Sequence, residues 1–71
     1  MNESLDDDSL RLLEALRGLV FCEYGDGYGK VYVEAARPPE WSKAVLSGHL
    51  SVLTKHKLYE RIDGLFGKVK L

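Results

Sequence analysis

Trp41-Ser42-Lys43-Ala44-Val45-Leu46-Ser47-Gly48-His49-Leu50-Ser51-Val52-Leu53-Thr54-Lys55-His56-Lys57-Leu58 is the stretch on which the fold turns. Trp41, Val45, Leu46, Leu50 and Leu53 recur at helical spacing, which predicts one apolar stripe continuing to about His56. Its start has two readings. Pro39 suits a first helical position, where its missing N–H costs nothing. Alternatively Ser42 caps a helix that begins later, with Trp41 packing back as a hydrophobic staple. Just upstream, Val33-Glu34-Ala35-Ala36-Arg37-Pro38-Pro39-Glu40 contains two adjacent prolines that a helix interior does not accommodate. Residues 33–56 are therefore either a stub helix, a turn and a second helix, or one helix running on from Pro39.

Downstream, Tyr59 to Ile62 and Lys68 to Leu71 alternate around Asp63-Gly64-Leu65-Phe66-Gly67, a hairpin signal. Upstream, Leu19 to Tyr24 and Lys30 to Glu34 flank Gly25-Asp26-Gly27-Tyr28-Gly29 and predict another hairpin. In its second strand Val31 and Val33 share one face, and Lys30, Tyr32 and Glu34 the other. Before it, Leu10, Leu12, Leu13, Ala15, Leu16 and Leu19 mark a helix at about residues 6–17. Asp6, Asp7 and Asp8 lie at its positive end, and Gly18 is placed to end it through a positive φ. The two hairpins echo each other: Gly29-Lys30-Val31 and Gly67-Lys68-Val69 each open a returning strand. Duplication of a helix-hairpin unit would explain the echo, although turns favour glycine without it.

The predicted architecture is α+β, one domain over residues 1–71 in the order helix, hairpin, helix, hairpin, with residues 1–5 expected to be disordered. At 71 residues and 45% hydrophobic composition there is material for one modest core. A chain this short buries only roughly 60% of its unfolded surface, too little to wall a deep catalytic cavity. A single cysteine, Cys22, allows no internal disulfide, which points to an intracellular, cytoplasmic setting. The acidic start is unlike a signal peptide, no apolar run is long enough for a membrane, and no membrane partner is expected.

The net charge of −1 conceals a division. Residues 1–36 hold three basic side chains against eight acidic, a net of −5, whereas residues 37–71 hold seven against three, a net of +4. Such asymmetry directs the second half toward a polyanion or an acidic partner.

Leu46, Ser47, Leu50 and Leu53, followed by Leu58 and a glycine-turned hairpin, resemble the recognition helix and wing of winged helix-turn-helix DNA-binding proteins. The likeness covers a little over 30 residues, the helix at about 42–56 and the wing at 58–71. It implies a small variant winged-helix domain that binds double-stranded DNA, as transcription regulators do. The sequence departs from that pattern at the two prolines, where the family has a full helix. The physical reading of the same residues agrees with the resemblance. With Leu46, Leu50 and Leu53 inward, the opposite side presents Lys43, Ser47, Gly48, Ser51 and Lys55, all small or cationic and able to approach a groove. Arg61, Lys68 and Lys70 on the hairpin would meet phosphates. With no helix after the wing, a homodimer would use the first helix or the first hairpin.

A different class of function uses other residues. Tyr24, Tyr28, Tyr32 and Trp41 could anchor a protein partner on the same fold, without nucleic acid. Gly27 to Glu34 is also similar to the central-strand signature of RNA-recognition motifs, but that fold needs a strand before its first helix that residues 1–5 do not supply. No catalytic set is visible. Cys22, His49 and His56 lack zinc-ligand spacing, and Gly25, Gly27 and Gly29 lack that of a phosphate loop. An enzyme, a metal and a cofactor are not expected.

Overall fold

The computed structural model describes residues 5–71. Two helices, α1 (Asp7–Gly18) and α2 (Lys43–Lys55), pack on one face of an antiparallel sheet of four strands: β1 (Cys22–Glu23), β2 (Tyr28–Tyr32), β3 (Tyr59–Arg61) and β4 (Phe66–Lys70). The sheet order is β1-β2-β4-β3, so the second strands of the two hairpins meet at the centre. The fold is α+β in the predicted order. The expected disorder at residues 1–5 falls outside the described residues except at Leu5, which is half-buried and packs against the core.

Alternation along the central strands separates the two layers. Val31 on β2 and Val69 on β4 are fully buried beneath the helices, whereas Lys30, Tyr32, Lys68 and Lys70 point the other way. Leu12, Leu13 and Leu16 from α1 meet Leu46 and Leu53 from α2, and Trp41, Val33, Ala36 and Tyr59 close the core.

Residues 33–56 are two helical segments. The chain leaves β2 into a 3₁₀ turn, Val33–Ala36, then turns again at the prolines, where the Trp41 N–H bonds to the carbonyl of Pro38 at 3.0 Å, before entering α2. The expected strand therefore ends two residues early. Val33 stays on the core side, but its N–H turns to the carbonyl of Leu65 at 3.1 Å. Of the two helix starts, Ser42 is the one used: its hydroxyl accepts the Val45 N–H at 3.2 Å. Trp41 and Leu46, the pair a hydrophobic staple joins, are both buried.

Two other expectations change. Gly18 is the last residue of α1 and has no positive φ; the helix ends through Leu19, whose N–H bonds to Leu16. The left-handed residues are Gly27, in the first hairpin turn, and Lys57 after α2. Strand β1 is only two residues long, with pairing continued by single bonds from Phe21 to Lys30 and from Tyr24 to Tyr28. No described helix is long and apolar enough to cross a membrane.

Candidate nucleic-acid interface

The exposed residues of α2 divide into two neighbouring strips. Lys43, Ser47 and Ser51 line a groove whose other wall is the β3–β4 hairpin, with Arg61, Asp63 and Gly64. Gly48 and Lys55 lie on the exposed side next to it. Gly48 has nothing within 4 Å of where a β-carbon would stand. Its helix-weakening glycine is therefore not required by packing within the chain.

The groove's carboxylates are engaged locally. Glu34 binds Arg37 at 3.0 Å. Asp63 accepts the backbone N–H groups of Leu65 and Phe66, each at 2.8 Å, which hold its carboxyl below the ordinary value of 3.8. Lys43 and Arg61 are left flanking the groove.

The acidic start of α1 meets α2 on its far side. The Ser9 hydroxyl and His49 Nδ1 are hydrogen-bonded at 2.9 Å, and Asp6 lies 3.8 Å from the same nitrogen. His49 is two residues from both Ser47 and Ser51, roughly 200° around the helix. Trp41 stacks on His49 with centroids 4.7 Å apart, and the Arg11 guanidinium lies 5.9 Å from the Trp41 ring while pairing with Glu40. The Ser9 contact is the main reason that the Asp6 carboxyl is held below its ordinary value. Asp6, Asp8 and His49 bring one donor atom each within 4.8 Å of one another. The Ser9–His49 hydrogen bond, with Asp6 beside it, ties the start of α1 to α2.

The sequence grouped Lys68 and Lys70 with α2, but the structure does not. Both lie on the helix-free face of the sheet, where Lys68 and Lys70 stand 5.2 and 5.5 Å from the Tyr28 ring. Lys68 also pairs with Asp26 at 3.4 Å and Glu60 at 3.7 Å. Its partial burial acts to lower the ammonium pKa, but the attraction of those carboxylates outweighs this and raises it. Tyr24, Tyr28 and Tyr32 share that face, and the Tyr28 hydroxyl donates to the carbonyl of Lys57 at 2.9 Å. Trp41 does not join them. It is 7% exposed, so it is a core residue and not a partner anchor.

Sequence reasoning missed Phe21 and Phe66 on the open face and Ser9 in the core. Phe66 could have been found by parity, since it shares the even-numbered face of its strand with Lys68 and Lys70. Compared with known proteins, the chain matches no family, no curated protein and no solved structure.

Proposed function

We propose that this chain is a double-stranded DNA-binding domain of winged-helix type, as a transcription regulator would carry, with α2 entering the major groove and Arg61 on an adjacent phosphate. The observation that carries this reading is the strip Lys43, Ser47, Gly48, Ser51 and Lys55, exposed beside the β3–β4 hairpin, with a glycine at its middle that no internal contact explains. Small side chains let a helix backbone come close to base edges, and flanking cations meet the backbone. The acidic start of α1 lies on the opposite side of α2, where it would not oppose a polyanion. Lys68 and Lys70 have no part in this surface.

Gly48→Ala separates the fold from the function. With open space around it, an added methyl stabilises α2 by about 0.5–1 kcal/mol. The same methyl sits where the groove would approach, so the stabilised protein binds a mixed-sequence duplex more weakly in fluorescence anisotropy at low salt. Ser47→Glu, exposed and anionic, weakens it further. Parent-like duplex binding by both variants would remove α2 from the interface.

A further inference from the structure

The helix-free face of the sheet carries a surface that duplex binding through α2 does not use. On the two central strands its outward positions are Tyr28, Lys30 and Tyr32 on β2 and Phe66, Lys68 and Lys70 on β4, three rings and three ammonium groups, of which Lys68 is paired with Asp26 and Glu60. Phe21 joins from the residue before β1, where its N–H bonds to the carbonyl of Lys30 at 3.0 Å. Its ring centroid lies 5.8 Å from that of Phe66, and the Tyr32 ring lies 5.7 Å from that of Phe66. The Lys30 ammonium stands 4.9 Å from the Phe66 ring.

Phe21 is 59% exposed and Tyr32 42%. Lysines commonly guard sheet edges, but β2 and β4 are the interior strands, so edge protection does not account for these. Rings interleaved with cations are what an unpaired, flexible polyanion needs: flat faces for its bases and positive charge for its phosphates. A duplex keeps its bases stacked on one another and cannot use the rings. A second copy of this chain docked face to face would set Lys30 and Lys70 against the same two lysines of the other copy, a like-charge arrangement that disfavours it.

We infer that this face binds single-stranded nucleic acid, with bases stacking on Phe21, Tyr32 and Phe66 and phosphates meeting Lys30 and Lys70. The site is independent of α2, so each can fail without the other.

The test uses the whole chain and a fluorescently labelled oligothymidylate long enough to span the sheet. Phe21→Ala and Tyr32→Ala, both at exposed positions, each weaken oligothymidylate binding about tenfold in anisotropy. Circular dichroism and duplex binding stay as in the parent, and Lys55→Ala leaves the oligothymidylate affinity unchanged. No binding of the oligothymidylate at low salt overturns the proposal, as does equal binding by the folded double variant. A parent that sediments as a dimer, which the double variant dissolves without change in oligothymidylate binding, overturns it in favour of self-association.

Discussion

A β-carbon at Gly67 would fall against the ring of Tyr59, and one at Gly29 against the side chain of Val20. Both glycines lie on the helix side of the central strands, where close packing leaves no room to relax. Tyr59 is itself buried, and that burial raises its hydroxyl pKa. Gly67→Ala therefore destabilises the fold by about 1–3 kcal/mol, read as a lower urea midpoint. Asp63 sets an acid limit. Its carboxyl is held below 3.8 by two backbone N–H groups, so the folded state takes up its proton less readily than the unfolded chain. The stability this gives is complete above pH 3.8 and is lost as pH falls through the lower folded value. Asp6 and Glu40 shift in the same direction. The urea midpoint should fall below about pH 4, and fall less steeply in Asp63→Asn. Such residues show where sequence reading stops: Gly67 was legible as turn chemistry, but not as the space for Tyr59. Nothing in the type of Ser9 marks it as fully buried.

Helix α2 ends with a left-handed residue at Lys57, φ 61°. The N–H of Lys57 bonds to Thr54 and that of Leu58 to Leu53, both at 2.9 Å, the two bonds of a Schellman motif. A lysine in this conformation costs about 1–2 kcal/mol, while a glycine adds about 0.5–1 kcal/mol of chain entropy to the unfolded state. The first term is larger, so Lys57→Gly raises the urea midpoint, by a net gain of about 0.5–1 kcal/mol. Both helices and both hairpins were legible from hydrophobic period, because the period follows directly from which face is buried. Their ends were less so. Val33 is buried in an alternating strand and equally in the 3₁₀ turn that replaces it, so the pattern does not distinguish them. Lys57 carries no local signal for its conformation. The α2 strip was legible from helical spacing. The departure of Lys68 and Lys70 from it depended on knowing which side of the sheet the helices cover.

At the scale of the molecule, two similar halves meet across the sheet centre. Strands β2 and β4 pair about Lys30↔Lys68, with Gly29 opposite Val69 and Val31 opposite Gly67. The inward positions of α1, Ser9, Leu12, Leu13 and Leu16, have the same spacing as Leu46, His49, Leu50 and Leu53 in α2. This pseudo-symmetry is what duplication of a helix-hairpin unit would leave, and it places the two Gly-Lys-Val segments side by side. The cations fall into two spatial groups that cut across the division of charge along the chain. Three cations, Lys43, Lys55 and Arg61, belong to the α2 side, whereas Lys30, Lys68 and Lys70 belong to the open sheet face. The salt dependence of duplex binding tests the α2 assignment most directly. With three phosphates neutralised, log K should fall against log salt with a slope of about −2.7, and Arg61→Ala should make it shallower by about 0.9 while Lys68→Ala leaves it unchanged. A duplex that does not bind at low salt, or a slope that responds to Lys68→Ala and not to Arg61→Ala, would contradict it.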